Sequence, residues 1–163
     1  MRNNKGKLSV AFMTLAMIIL PGLWAGNAQA QKSRAATNAD PAVPQQPPYS
    51  DYKGVRLGMT AEEVRSRLGD PGFKDAEMDY YSFSETESAQ VVYNAARKVR
   101  MITVDYMNGV GAPAPRAVVG AELETKENGS LYRVVHYDHQ GFWVSYSRTA
   151  GPVIIVTITI QKM

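Results

Sequence analysis

The chain has 163 residues, with 18 lysines and arginines against 15 aspartates and glutamates, two histidines and no cysteine. Three of the basic residues and none of the acidic ones fall within residues 1–30, so the rest of the chain carries fifteen of each sign and the net charge of +3 belongs to the first segment alone. This removes the net-charge case for nucleic-acid binding, and the missing cysteine excludes disulfides, thiol nucleophiles and a cysteine-linked lipid anchor.

Residues 1–30 read as a secretory signal peptide. Arg2, Lys5 and Lys7 form a basic start, Leu8 to Leu20 is apolar, Pro21-Gly22 breaks the run, and Ala28-Gln29-Ala30 has the small–x–small pattern of a processing site. Cleavage is expected after Ala30. The competing reading is an uncleaved anchor, because the apolar run to Ala25 approaches the roughly 20 residues that a membrane span needs. Membrane association is expected only in that case, and the expected location is periplasmic or secreted. Residues 31–50 hold Pro41, Pro44, Pro47 and Pro48 among polar residues. They cannot build a core and read as a disordered, Pro-rich linker, with a docking ligand around Pro44 to Pro47 as the alternative. Residues 51–163 remain as one folded domain, which must be stabilised by its own core without disulfides.

A short helix is expected over about 60–69. Thr60 can cap it, Glu63 can reach back to the Thr60 amide in a capping box, and Met59 and Val64 can close a hydrophobic staple. Gly69 can take a left-handed conformation and Pro71 prevents resumption. Glu62 with Arg65 and Glu63 with Arg67 fit surface ion pairs along that helix. Asp75, Glu77 and Asp79 read as a solvated acidic loop. Strands are then expected at Asp79–Phe83, Gln90–Tyr93 and Val99–Met107, forming an antiparallel meander. Arg97, Lys98 and Arg100 are expected in a solvated turn between the last two. Asn108 to Pro115 is a turn-rich break. Val118 to Thr125 reads as either strand or weak helix, and Asn128-Gly129 is a hairpin signal leading into Leu131–Tyr137. Phe142–Ser147, with Phe142, Val144 and Tyr146 on one face, and Val153–Ile160, with Ile154, Val156, Ile158 and Ile160 on one face and Thr157 and Thr159 on the other, complete a second meander.

Residues with chemistry are few. His136-Tyr137-Asp138-His139 is the one histidine-containing cluster. A strand would put His136 and Asp138 on one face with His139 joining from the turn, which makes these three weak metal candidates, one ligand short of a closed site. No nucleophile elbow or phosphate loop occurs, so no catalytic residue is assigned and no cofactor is expected. The aromatic residues of the strands suggest binding instead, because Tyr and Trp are enriched at contact hot spots. Trp143, Tyr146, Tyr93 and Tyr81 are the candidate contact residues.

The stretch Gly54 to Gly72, with Leu57-Gly58-Met59-Thr60, Glu63-Val64, Leu68-Gly69 and Pro71 followed by the aromatic strand at Tyr80-Tyr81, resembles the SmpA/OmlA family, the BamE-like lipoproteins of the bacterial outer membrane. The resemblance covers roughly 54–107. It implies a short helix on a small antiparallel sheet and an accessory binding role in outer-membrane protein assembly. Doubled, the same unit looks like the architecture of β-lactamase-inhibitory protein, with halves 54–107 and 116–163, which would imply an inhibitor. The chain departs from these patterns in lacking the lipidated cysteine and any LGMT-type helix in its second half.

The expectation is therefore an α+β fold: one short N-terminal helix packed on an antiparallel meander of about five to seven strands. The expected function is that of an exported, non-enzymatic protein that binds another envelope protein through its sheet and aromatic side chains. A binder of a small ligand, lipid or peptidoglycan fragment in an apolar pocket is the first alternative. A hydrolase or metal enzyme centred on His136, Asp138 and His139 is the second.

Overall fold

The computed structural model describes residues 46–163. The expected signal peptide, its processing site at Ala30 and residues 31–45 of the Pro-rich arm lie outside the described residues. The folded region starts before residue 51, because Tyr49 is half-buried against the core. A two-residue turn follows. Lys53 and Gly54 both have positive φ, 49° and 79°, and Tyr52 and Val55 exchange backbone hydrogen bonds of 3.0 and 2.8 Å. This is the geometry of a tight hairpin loop that asparagine or glycine usually supplies. It drives Tyr52 and Val55 into the core.

Thr60 starts the helix as expected. Its hydroxyl accepts from the Glu63 amide at 3.3 Å, and the Glu63 carboxylate accepts from the Thr60 amide at 2.7 Å. Two amides that a helix start leaves without partners are thereby satisfied. Helix α1 (Ala61–Leu68) buries Ala61 and Val64. It ends at Gly69 with φ 84° and ψ −168°. This is an extended positive-φ conformation essentially confined to glycine, rather than the left-handed helical one expected. A Cβ at Gly69 would meet nothing within 4 Å, so backbone strain and not crowding requires glycine there.

The first meander comprises β1 (Phe73–Lys74), β2 (Met78–Ser82), β3 (Glu87–Tyr93) and β4 (Val99–Met107). β1 carries no alternation signal and was not expected. β3 starts three residues earlier than its apolar run, because Ser84 holds the preceding turn by accepting from the amides of Thr86 and Glu87. A bulge sets Val92 opposite Met101 and Tyr93 opposite Val99, leaving Arg100 as the extra residue. That shift lets both Val99 and Ile102 face the core although their spacing is odd.

The second meander is entered through helix α2 (Pro115–Val119). It has proline at its start, no side-chain cap, and Gly120 in the left-handed conformation at its end. Thus Val118 to Thr125 is neither one strand nor one helix: proline presets the first helical turn and Gly120 stops it two residues into that span. Asn128-Gly129 does form a tight turn, with Gly129 donating to the Lys126 carbonyl at 2.8 Å and Lys126 to the Ser130 carbonyl at 2.9 Å. The segment entering it is irregular, so the expected hairpin is absent. β5 (Leu131–Tyr137), a short 3-10 turn (Asp138–Gln140), β6 (Phe142–Arg148) and β7 (Ile155–Lys162) follow. β7 begins two residues later than expected. Thr149 closes the loop by donating from its hydroxyl to the Val153 carbonyl and accepting from the Ile155 amide, which leaves Val153 and Ile154 exposed.

All pairings are antiparallel and the sheet order is β1-β2-β3-β4-β7-β6-β5. The chain thus builds a helix followed by a meander twice, and the two meanders join through their last strands. At that seam Ile102 faces Ile160 and Val104 faces Ile158, all buried. The helix residues Ala61, Val64, Val118 and Val119 belong to the same core as these strand residues. Both helices therefore serve one face of a seven-stranded sheet, an α+β architecture with segregated layers.

Candidate functional site

His136 is the penultimate residue of β5, on the face opposite Val135 and Tyr137, and is exposed. The strand stops at Tyr137, so Asp138 enters the 3-10 turn instead of sharing a face with His136, and His139 is exposed on the same turn. Alternation is lost at that point because Gly141, with φ 71°, closes the turn through hydrogen bonds to the Tyr137 and Asp138 carbonyls. Among the described residues no group of three or more histidine, aspartate or glutamate side chains is placed to hold a metal ion.

Asp79 is the chemically most unusual residue of the fold. It is fully buried, in contrast to the solvated loop position expected for it. Strand alternation explains this: Asp79 shares the inward face of β2 with Tyr81, and its strand partner is the core residue Val91. The Arg65 guanidinium meets its carboxylate with two hydrogen bonds of 3.0 and 2.8 Å. The Tyr93 hydroxyl donates to it at 2.7 Å and the Tyr81 hydroxyl at 3.4 Å. Arg65 consequently does not pair with Glu62. Arg67 donates to the backbone carbonyl of Glu63. The Asp79 hydrogen bond holds Arg65 further above its ordinary pKa. Burial is the main cause that pushes the Tyr81 phenol up to about 12, followed by the charge of Asp79. Burial, then the hydrogen bond to Asp79, raises Tyr93 as well. A bidentate pair with two further donors satisfies the carboxylate. It leaves no lone pair aimed at a cleft, so this network is an internal brace between α1 and the sheet. The sequence held a signal for it: Arg65 lies on the stripe Ala61, Val64, Leu68 at helical spacing, and Asp79 lies two residues from the inward-facing Tyr81.

The brace corrects two of the candidate contact residues. Tyr81 and Tyr93 are 2% and 3% exposed, and Tyr146 is 4% exposed. These three rings fill the core, because each lies on the strand face that the helices cover. Trp143 alone of the four lies on the other face and is half-buried there.

That other face is uncovered by any helix among the described residues. Strand registers align its side chains in rows. Tyr80, Gln90, Thr103, Thr159, Ser145 and Val134 form the central one, and Val92, Met101, Gln161, Trp143 and His136 lie beside it. Asp105, Thr157 and Ser147 continue on the other side. The seam carries a hydroxyl pair, Thr103 and Thr159 at 3.3 Å, and a hydroxyl–carboxylate bond, Thr157 donating to Asp105 at 2.6 Å. Short polar side chains with interspersed Tyr80, Trp143 and Met101 make an open surface, poor in charge, on paired strands. Antiparallel sheets commonly leave one such face to solvent, and Trp143 belongs to it here.

Clefts are shallow. One of about 330 Å³ is lined by Arg56, Leu57, Gly58, Gln140, Phe142 and Lys162. Another of about 450 Å³ lies beside Glu77, Tyr93, Arg97 and Arg100. Arg97 is not merely solvated: it donates to the carbonyls of Asp75 and Ala76 and lies 5.1 Å from the Tyr93 ring centroid. No apolar pocket separates α1 from the sheet among these clefts, since Ala61 and Val64 are completely buried.

No family model matches the chain, and no curated protein matches it. Among solved structures the chain is similar to the crystal structure of a DUF4309 family protein (YjgB) from Bacillus subtilis subsp. subtilis str. 168, with 13% identity, a TM-score of 0.46, and coverage of 68% of this chain and 84% of that one.

Proposed function

We propose that this is an exported, non-enzymatic protein of the cell envelope that binds another protein with the open face of its sheet. The observation that carries the reading is the row structure of that face: half-buried Trp143 and Met101 beside the threonine and glutamine seam, on strands fixed by pairing on both sides. Aromatic and methionine side chains on a charge-poor, preordered surface are what contact cores contain. The SmpA/OmlA resemblance and the signal-like residues 1–30 agree with an accessory role in outer-membrane assembly. Tyr81, Tyr93 and Tyr146 have no part in the contact. The test is capture of partners from envelope extract with immobilised protein, comparing the natural chain with Thr103→Arg/Thr159→Arg and with Trp143→Ala. Both variants are expected to stay folded by circular dichroism, the double arginine variant with a lower melting temperature because its two charges face each other across the seam, and to reduce the captured partner at least about tenfold, a loss of about 1.4 kcal/mol or more. Undiminished capture by the double arginine variant would reject the open face as the binding surface.

A second reading has one specific support. Lys162 and Arg56, the latter 3.9 Å from the Asp51 carboxylate, line the cleft of about 330 Å³ with Phe142, which suits a small anionic ligand such as a fragment of envelope polymer. Titration of such fragments against the natural chain and Lys162→Ala, followed by calorimetry, separates this from the first reading.

A further inference from the structure

The hairpin loop ahead of α1 holds a residue that its conformation does not call for. Lys53 has φ 49° and is followed by Gly54 with φ 79°, a pair of positions that asparagine, aspartate and glycine usually fill. Lysine has no short polar group with which to satisfy the backbone there. What it gains lies at the far end of its side chain. The Lys53 Nζ is 4.8 Å from the centroid of the Phe83 ring and 5.4 Å from that of Tyr52, both within reach of a cation–π contact. The same Nζ is 3.4 Å from Glu87 Oε1.

The groups around this ammonium are held by contacts that do not involve Lys53. Tyr52 is buried and its hydroxyl donates to Glu87 Oε1 at 2.8 Å. Phe83 stacks on buried Tyr81, with centroids 5.8 Å apart and planes 7° from parallel. The Tyr52 and Phe83 rings meet at 62° with centroids 5.8 Å apart, so they form two walls of a corner and the Glu87 carboxylate a third. Glu87 opens β3 opposite Tyr106, on the inward face with Ala89 and Val91. The corner therefore lies on the helix side of the sheet, away from the open face. The Lys53 side chain is 44% exposed, so the mouth of the corner reaches solvent, and an ion pair this exposed is weak. An ammonium carries three donors, and among the described residues Glu87 is the one acceptor that Nζ reaches. Two aromatic faces and a single carboxylate better suit a cation with methyl groups in place of N–H groups.

We propose that this corner is a binding site for a trimethylammonium group, carried by a small solute such as choline or by a lipid headgroup. Lys53 is its tethered occupant. Its ammonium stands where the ligand nitrogen goes, and the ligand enters as the lysine side chain swings out to solvent. The site is independent of what the open face binds.

The test titrates the protein, purified as the cell processes it, with tetramethylammonium chloride against sodium chloride at equal ionic strength, and follows the methyl proton resonance of the ligand by NMR. Protons held over aromatic faces move upfield, which binding to a surface carboxylate alone does not produce. The natural chain is expected to give a saturable upfield shift. Lys53→Asn suits the turn and empties the corner, and is expected to bind about tenfold more tightly because no tethered ammonium competes. In the Lys53→Asn chain, Phe83→Leu keeps an apolar side chain and removes one aromatic wall, and is expected to weaken binding about tenfold. Glu87→Gln keeps an acceptor for Tyr52 and removes the charge, and is expected to weaken it as well. Circular dichroism is expected to show the natural fold in each. Phosphatidylcholine vesicles and free choline then separate the carriers: co-sedimentation with vesicles marks the headgroup, and an upfield-shifted choline without co-sedimentation marks the solute. Absence of a saturable shift in the natural chain or in Lys53→Asn would overturn the proposal and leave Lys53 a brace of its own turn. So would equal affinity in Lys53→Asn with and without Phe83→Leu, or binding of neither carrier.

Discussion

The first and second meanders reach the same sheet with different supports. The first is preceded by an eight-residue helix with a complete capping box, and that helix is tied to the sheet by Arg65 and a fully buried Asp79. The second is preceded by a five-residue helix that has proline in place of a cap and buries Val118 and Val119. The strand at the outer edge of the sheet is two residues long in the first and seven in the second. The comparison teaches that the same layer arrangement can be held by a directional polar brace or by apolar burial. The two respond to different perturbations.

The broadest expected effect is alkaline. Burial is the leading cause that raises the phenols of Tyr49, Tyr52, Tyr81, Tyr93 and Tyr106 around the first meander, against Tyr137 and Tyr146 in the second. A phenol whose folded pKa lies above its unfolded value favours the protonated folded state. Its contribution is complete below about pH 10 and is lost as the pH rises beyond it, for Tyr81 through a folded value of about 12. Melting temperature should therefore fall steeply above about pH 10. Hydrogen exchange should show β2 and β3 amides losing protection before those of β5. The opposite order would mean that the first meander is not the alkali-sensitive one.

Arg65→Met should cost about 3 kcal/mol, because it strands a carboxylate with no exposed surface. Val118→Ala in the second helix should cost about 2 kcal/mol through a small cavity. Denaturant midpoints of the two variants decide this comparison, and equal or inverted losses would remove the distinction between brace and burial. The smallest effect is expected for Thr60→Ala, about 1 kcal/mol from loss of the cap. An unchanged midpoint would show that the capping box only decorates a helix held by Arg65.

What was legible in the sequence follows the range of each interaction. Capping at Thr60 and Glu63, the end at Gly69 before Pro71, and the strands Val99–Met107 and Leu131–Tyr137 depend on neighbours a few residues away, and these were readable. β1 was invisible because Phe73-Lys74 is a strand only through its pairing with Tyr80 and Asp79. Tyr81, Tyr93 and Tyr146 were candidates for contact because aromatic residues fit either face of a strand. Alternation reports that a strand has two faces and does not say which of them the helices will cover.

By itself the sequence determined the helix and its stops, most strand spans, the α+β class and the scarcity of reactive groups, since these rest on backbone conformation, periodicity and composition. Only the tertiary structure decided that Asp79 is a buried partner of Arg65, that β4 and β7 join the two meanders, and that Trp143 lies on the uncovered face. Each of those facts needs residues far apart in the chain to be brought together, and a charge pattern or an apolar run is the same string whichever partner it finds.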